Sequence, residues 1–405
     1  MIKIILSIAA LLVSIVTMQL ANSMIAPTIV LKANAAGEGL TSIGLIPTIY
    51  GLGFVIGCFW ARKLMKTIGH IRAFTVAGAI LAALTLLMHL VSDPFYWIIF
   101  RGIMGCAIAI IMTCIDSWVG HVTPKEMRGR VIGFYSTVTM LAYVGAPALL
   151  SYSLMISKNA IIYAVLLFTV SLIPIGMTKL PQPSIRPNVT TSFRALFKDV
   201  PSALVAAFVI GLTNTSVLNL LPVYGVKVGF VASEALTLLV AVYFGGLIFQ
   251  WPIGYLSDIF GRRNVMSFGF LISGIISIAI ITPYAGTTSN SILLSFVWGG
   301  AALSLYAVAL SHAIDHIDNE ETVAVCATVL TTWSIGSIFG PMVSGLLMEL
   351  YGVSALFLFC SFFHIIAGGF ILMRVMTSAK RMNMERSQIV EDVDGVTWPQ
   401  NRLLT

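Results

Sequence analysis

The sequence predicts an all-α membrane protein in which twelve transmembrane helices form two six-helix pseudo-repeats. Apolar residues make up 58% of the 405 residues and charged residues only 10%, whereas a soluble globular protein has roughly 25% charged residues. Most of the surface must face lipid, because this small number of charged residues cannot cover a water-facing surface. Two further observations support this class: the lengths of the apolar runs, and a motif that occurs in both halves of the chain.

The apolar residues are concentrated in twelve stretches, each near the roughly 20 residues that a helix needs to cross a bilayer. Short segments with Gly, Pro and charged residues separate them. The first stretch is too long for a signal peptide and has no convincing cleavage site, so we expect it to be retained. The predicted spans are approximately 5–30, 41–61, 71–91, 95–119, 131–155, 160–177, 201–224, 235–256, 265–284, 291–313, 323–348 and 354–376.

Two longer polar segments divide the chain. Residues 178–200 are Pro-rich and then basic and amphipathic, and residues 378–405 form a polar tail. We therefore predict a first six-helix half over 1–177, a cytoplasmic linker over 178–200, a second half over 201–377 and a cytoplasmic tail over 378–405.

A repeated motif supports the two-half division. Gly254–Arg263 reads GYLSDIFGRR, and Lys63–Arg72 reads KLMKTIGHIR, with Gly69 aligned to Gly261. A weaker match relates TCID at the end of span four to HAID at the end of span ten. These matches predict a duplicated six-span unit with parallel topology, related by an axis along the membrane normal.

The basic residues predict the orientation. With a cytoplasmic N-terminus, every Lys and Arg falls on the cytoplasmic side except Lys32, Lys158 and Lys227 outside and Arg101 within span four. This asymmetry predicts a multi-pass protein of the cell (inner) membrane with both termini in the cytoplasm. The net charge of +7 therefore sets topology and forms no continuous basic face, so no nucleic-acid partner is expected.

Several classes of chemistry lack their sequence signatures. The five cysteines lie within apolar stretches without CxxC spacing, so neither a disulfide framework nor a metal site is predicted. No P-loop, HExxH or GxSxG motif is present. We expect no cofactor, no ATP-driven transport by this chain and no enzymatic activity.

The motif GYLSDIFGRR resembles the loop signature of the major facilitator superfamily, G-x-L-a-D-x-x-G-R-R. Within it the chain is similar to the YcaD-like group of uncharacterised bacterial transporters, and the resemblance covers all but the tail. The first-half copy of the motif departs from the superfamily signature, with Lys66 where the Asp would stand. The acid at the end of span four also differs, because it is Asp here and commonly Glu in the YcaD-like group. The segments that support the similarity are Gln250–Asp258, Asp116–Trp118, Arg128–Arg130 and Ser311–Asp315.

The resemblance implies a secondary active transporter that moves a small solute by rocker-switch alternating access. We expect a monomer that works among membrane lipids with protons as the coupling ion, as a symporter or antiporter. Uptake and efflux both remain open, and so does a transporter-like receptor or sensor that binds a solute without moving it.

The residues of the loop motif predict a gate. Gly254 allows spans eight and eleven to approach closely, and Asp258 can accept hydrogen bonds and pair with cations. Arg262 and Arg263, after Gly261, supply such cations and anchor the loop to anionic head groups. We predict a latch that holds one face shut, and the alternative is a charged turn that only sets topology.

Two ionisable residues lie on span four, about 22 Å apart at 1.5 Å per residue. Arg101 is expected near the outer mouth, where it attracts an anionic substrate or a neighbouring acid, or else snorkels to head groups. Asp116 is expected near the inner end, first as a gate partner of Arg128 and Arg130 and second as a proton carrier. The acidic segment Asp315–Glu321 is a further candidate partner of the two arginines when the face closes.

Span ten ends with His312 and Asp315, three residues apart and therefore on one helical face. A His beside a carboxylate titrates near neutral pH, which suits proton coupling. The alternative is a polar pair that satisfies its own hydrogen bonds.

In the family resembled, spans one, four, seven and ten surround the central axis, so polar residues there are candidate substrate contacts. They are Gln19 and Asn22 on span one, Arg101 on span four, and Asn214 and Asn219 on span seven. The alternative for the amides is a helix–helix hydrogen bond. No acid is predicted at mid-membrane, which favours neutral or anionic solutes over cationic ones.

Overall fold

The structure, a computed structural model, describes residues 9–91, 93–123, 128–152, 156–177, 200–315 and 322–394. Over these ranges the chain forms long helices joined by short connections, with one 3₁₀ turn at Pro283–Gly286 and no strand. The helices are α1 Ala9–Ala35, α2 Leu40–Ile68, α3 His70–Leu90, α4 Pro94–Val122, α5 Arg128–Tyr152, α6 Ile156–Gly176, α7 Pro201–Lys227, α8 Ala232–Phe260, α9 Arg262–Ile280, α10 Thr288–Ile314, α11 Thr322–Tyr351 and α12 Ala355–Asp394.

All twelve helices contain a segment long and apolar enough to cross a membrane, which confirms the predicted fold class. The last helix extends beyond its predicted span. Its membrane-crossing segment is Ala355–Thr377, but helix continues into the predicted polar tail as far as Asp394.

Single glycines separate the helices at both copies of the repeated motif. Gly69 lies between α2 and α3 with φ 83°, and Gly261 lies between α8 and α9 with φ 87°. Only glycine adopts such positive φ angles without a steric penalty. The aligned glycines therefore make the same sharp turn in the two halves.

The two halves also repeat their helix packing. α2 packs on α4 as α8 packs on α10, and α3 packs on α6 as α9 packs on α12. Glycines allow the close crossings: a Cβ on Gly53 would collide with the Gly102 carbonyl oxygen, and one on Gly245 with the Phe296 carbonyl oxygen. The spacing from Gly53 to Gly245 equals that from Gly69 to Gly261, so the repeat extends into the helix interiors.

Large apolar side chains cover much of the outward surface of the bundle. Phe59 is 77% exposed and Phe362 is 60% exposed, as expected of side chains that face lipid. Many of the buried serines and threonines hydrogen-bond to carbonyl oxygens one turn earlier in their own helices, for example Thr213 to Val209 and Ser304 to Gly300. Hydroxyls are thus satisfied locally in an interior that offers few other polar partners.

The halves meet mainly through α2 against α11 and α5 against α8. We call the end of the bundle that holds Gly69 and Gly261 the motif end, and the end that holds Leu40 and Tyr351 the opposite end. At the opposite end the backbones of α2 and α11 touch, because a Cβ on Gly44 would collide with the Pro341 carbonyl oxygen. Gly345 approaches Leu40 in the same way.

Candidate substrate cavity and gates

A central cavity of about 270 Å³ lies between the two halves, lined by α1, α2, α4 and α5 of the first and by α7, α8 and α11 of the second. Four of the five predicted substrate contacts line it: Gln19, Asn22, Arg101 and Asn219. The fifth, Asn214, does not. Its Nδ2 donates to the Ala302 carbonyl oxygen of α10 at 3.3 Å, so the alternative of a helix–helix hydrogen bond describes Asn214.

Arg101 lies at the wall of this cavity and is only 2% exposed. Its guanidinium carbon is 4.0 Å from the ring centroid of Tyr50, and its Nε and Nη1 are buried without a hydrogen-bond partner. The burial of this side chain excludes the snorkelling alternative, and the expectation of a position near the outer mouth stays a prediction. Arg101 lies seven residues after the start of α4 at Pro94, about 10 Å along the helix, on the face toward Tyr50 of α2.

Polar side chains of α1 face the cavity and bond to tyrosines of the neighbouring helices. Gln19 Nε2 donates to the Tyr143 hydroxyl at 2.5 Å, and Asn22 Nδ2 donates to the Tyr50 hydroxyl at 3.2 Å. Gln19 Oε1 is buried without a partner. Across the cavity, Asn219 Nδ2 donates to the Thr215 carbonyl oxygen at 2.8 Å. The cavity thus presents amide and hydroxyl groups beside a single guanidinium.

A second, wider cavity of about 1060 Å³ lies at the motif end between α4, α5 and α8, and we call it the vestibule. Met112 and Tyr143 belong to the linings of both cavities. Tyr143 of the first half stacks on Tyr243 of the second, with ring centroids 5.8 Å apart and an interplanar angle of 23°. This aromatic pair spans the boundary between the halves beside the central cavity.

Asp116 lines the vestibule with an exposed side chain. The Tyr135 hydroxyl of α5 donates a hydrogen bond to Asp116 Oδ1 at 3.1 Å. Arg128 and Arg130, its predicted gate partners, lie in the first turn of α5, but their side chains are outside the described residues. The predicted pairing stays a prediction.

The loop motif forms a polar cluster at the ends of α8, α9 and α10. Arg262 pairs with Asp258, and its Nε donates to Asp315 Oδ2 at 3.1 Å. Arg263 Nε donates to His312 Nε2 at 3.1 Å. Residues predicted separately for gating and for proton coupling are therefore neighbours.

All the described hydrogen bonds of Arg262, including Nη1 to Ser257 Oγ at 2.6 Å, stay within the second half. In this structure the motif ties α8, α9 and α10 together and does not bridge the halves through Arg262. Asp315 is likewise bonded to Arg262 in its own half, and residues 316–321 of the acidic segment lie outside the described residues.

Gly254 lines the vestibule and does not touch α11. A Cβ at this position would meet no atom within 4 Å. The expectation that Gly254 lets spans eight and eleven approach is therefore wrong in this structure, because the close approach to α11 comes from α2 and α7 instead.

Three residues were missed by the sequence analysis. Tyr50 holds Arg101 and Asn22, and Tyr135 bonds to Asp116. Glu349, at the end of α11, accepts a hydrogen bond on Oε2 from the Thr41 backbone N–H of α2 at 2.7 Å. The sequence shows only that Glu349 stands at the end of a span, and this position does not identify Thr41 as its partner.

Comparison with known proteins finds a family model and relatives that describe the same type of transporter. The family model of the Major Facilitator Superfamily matches residues 11–248 and 203–392. The chain is 26% identical over 328 residues to the "Uncharacterized MFS-type transporter YcaD" of Escherichia fergusonii, covering 78% of this chain and 82% of the relative. With the protein of the same name from Salmonella paratyphi A it shares 24% identity over 360 residues, 86% of this chain and 90% of the relative.

Solved structures show the same fold. The nucleoside transporter NupG superposes with a TM-score of 0.73 at 14% identity, covering 90% of this chain and 98% of that chain. The D-xylose-proton symporter gives a TM-score of 0.72 at 14% identity, covering 91% and 97%. Twelve membrane-crossing helices, a cavity between two six-helix halves and a family model that matches most of the chain lead to one conclusion: the chain belongs to the Major Facilitator Superfamily and is a multi-pass membrane transporter, not an enzyme.

Proposed function

We propose that the chain is a secondary active transporter that moves a small solute by rocker-switch alternating access, coupled to protons. The observation that supports this most directly is the central cavity, which both halves line and which lies beside a wider vestibule at the motif end. A site at the interface of two repeats is the arrangement that rocking of one half against the other exposes alternately. The whole path lies within one chain, which suits a monomer.

The distribution of basic residues supports an inner-membrane protein with its motif end and both termini on the cytoplasmic side. In that orientation the vestibule is the cytoplasmic opening, and the structure corresponds to an inward-open state. The opposite end is then the outer seal. Backbone contact of α2 with α11 at Gly44 and Gly345 supports this assignment, as does the Glu349–Thr41 hydrogen bond between the halves.

We assign proton coupling to Asp116 before His312 and Asp315. Asp116 faces the vestibule, where protons arrive from the cytoplasm, and its described hydrogen bond comes from a neutral tyrosine. His312 accepts a hydrogen bond from Arg263, and Asp315 accepts one from Arg262. Those two groups are engaged by cations, which suits a structural role at the loop motif.

Reconstitution tests the proposal. A thermal-shift screen of solutes on the purified protein selects a ligand, and uptake of that ligand is then measured in proteoliposomes with and without a pH gradient. We expect accumulation driven by the gradient. Asp116→Asn should abolish accumulation and keep counterflow exchange, whereas Asp315→Asn should keep both.

The outcomes separate the alternatives. Accumulation by Asp116→Asn would contradict the assignment to Asp116, and accumulation that ignores the pH gradient would contradict proton coupling. Saturable binding without counterflow would instead support the receptor alternative. The sign of the gradient that drives accumulation distinguishes uptake from efflux.

A further inference from the structure

The central cavity has one charged side chain and no counter-charge. Among its described lining residues Arg101 is the only ionisable cation, and there is no Asp or Glu. Both described ion pairs of the chain involve Arg262, at the motif end. Resting on the proposed function, we infer that the transported solute is a small organic monoanion whose carboxylate binds the Arg101 guanidinium.

The surroundings of Arg101 leave its charge incompletely compensated. A charge buried within a membrane protein is costly and normally pairs with another group. The Tyr50 ring face offsets part of the cost through a cation–π contact. Nε and Nη1 remain buried without acceptors, and unpaired N–H donors of a cation are the groups that a carboxylate oxygen satisfies best.

The charge balance limits the solute to one negative charge. A single guanidinium neutralises one carboxylate, whereas a phosphate monoester near neutral pH has up to two charges and would need a second cation. The other polar groups at the cavity are neutral: Gln19 Oε1 and Ser23 Oγ are both buried without partners there. They suit hydroxyl or amide groups on the body of the solute.

The remaining wall is aromatic and apolar. Tyr50, Tyr143, Tyr243 and Trp333 line the cavity together with Phe54. A cavity of about 270 Å³ is slightly below the roughly 300–1,000 Å³ of sites for drug-sized ligands. The geometry therefore suits a small carboxylic acid with a flat or apolar body, bound with its charged end at α4.

Matched acid and amide probes test the inference on the unmodified protein. Benzoate and phenylacetate are compared with benzamide and phenylacetamide on purified protein in detergent. The affinity of each probe is measured from the shift that it causes in the unfolding temperature and from the change in tryptophan fluorescence. We expect each acid to bind at least about tenfold more tightly than its amide, because the amide loses the charge-assisted hydrogen bonds to Arg101. Equal affinity of acid and amide, or no saturable binding of either acid at millimolar concentration, would overturn the inference.

Variants test whether Arg101 is the group that binds the acid. Arg101→Gln should weaken acid binding about tenfold or more and leave amide binding unchanged, and Arg101→Lys should give an intermediate loss because it keeps the charge but not the planar fork. Lys227→Gln, which removes an exposed cation at the end of α7, is the matched control and should bind like the unmodified protein. Acid binding by Arg101→Gln at the original affinity would show that another group holds the anion.

Flux measurements separate this inference from the proposed function. If benzoate binds through Arg101 but is not exchanged by proteoliposomes that exchange a neutral solute, the substrate class is wrong and the transport mechanism stands. If acids bind and no solute is exchanged, transport fails and the anion site stands.

Discussion

At the scale of single residues, Tyr50 connects the groups that define the central cavity. Its ring lies against Arg101, and its hydroxyl accepts a hydrogen bond from Asn22. The two interactions use different parts of the side chain, so they can be removed separately. A cation–π contact is worth about 2 kcal/mol when desolvated, and a neutral hydrogen bond about 1 kcal/mol.

We therefore expect Tyr50→Phe to retain the Arg101 position and to lower the unfolding free energy by about 1 kcal/mol. Tyr50→Leu removes both interactions and should lower it by about 3 kcal/mol. Thermal unfolding in detergent measures the difference. Equal stability of the two variants would mean that the ring face contributes nothing to holding Arg101.

At the scale of helices, two glutamates at the opposite end act on helix N-termini in different ways. Glu349 of α11 accepts from the Thr41 N–H of α2 in the other half. Glu234 accepts from the Val231 N–H at the start of its own helix α8 at 3.1 Å. Negative charge near a helix N-terminus is favourable in both places, but only Glu349 joins the two halves.

We expect Glu349→Gln to favour opening of the opposite end by a few-fold in the population ratio. Glu234→Gln makes the same chemical change within one half and should leave that ratio unchanged. Spin-label distances across α2 and α11 in membranes measure the populations. A similar shift in both variants would contradict a role specific to the seal.

Glycines at helix crossings give a second contrast between contacts within and between halves. A side chain on Gly44 of α2 would push against α11 in the other half, and one on Gly53 would push against α4 in its own half. We expect Gly44→Ala to favour opening of the opposite end with little loss of stability. Gly53→Ala should instead lower the unfolding free energy by about 1–3 kcal/mol.

The same spin labels and thermal unfolding test both variants. Gly133→Ala is the control, because a Cβ there meets no atom within 4 Å. If Gly44→Ala destabilises the protein as much as Gly53→Ala and leaves the distances unchanged, the α2–α11 contact is a fixed part of the fold.

Sequence reasoning predicted the helices because their apolar runs are long, and it aligned Gly69 with Gly261 because the motif repeats. It found cavity residues as amides in apolar spans but could not separate Asn214 from Asn219. Five steps of about 100° place them about 140° apart on α7, and only packing decides which face is buried.

Other residues of the site could be identified only from the tertiary structure. Tyr50 has no special signal among the other aromatics of the chain, because its role depends on the crossing of α2 with α4. Glu349 acts on a helix whose first turn is 308 residues away in the chain. The burial of Arg101 against Tyr50 follows from the crossing of α2 with α4, which the apolar pattern does not predict.

At the scale of the whole molecule, alternating access makes one prediction about the seal. Cross-linking Thr41→Cys to Glu349→Cys with a short bifunctional maleimide, in a protein without its native cysteines, should hold the opposite end shut. We expect solute exchange in proteoliposomes to stop while binding through the vestibule continues. Single-cysteine variants treated with the reagent are the controls, and exchange at the original rate would rule out motion between α2 and α11.

The glycine crossing of α2 with α4 has a consequence for how recognition and motion are divided. Gly105, one turn after Arg101, lies against the Tyr50 carbonyl oxygen, so the cation and its aromatic neighbour are fixed to one rigid unit. Under the rocking motion that we propose, this arrangement keeps the proposed anchor at Arg101 intact, and the distances from it to Asn219 and Trp333 of the second half change. In that proposal the first half binds the anion, and movement of the second half encloses it.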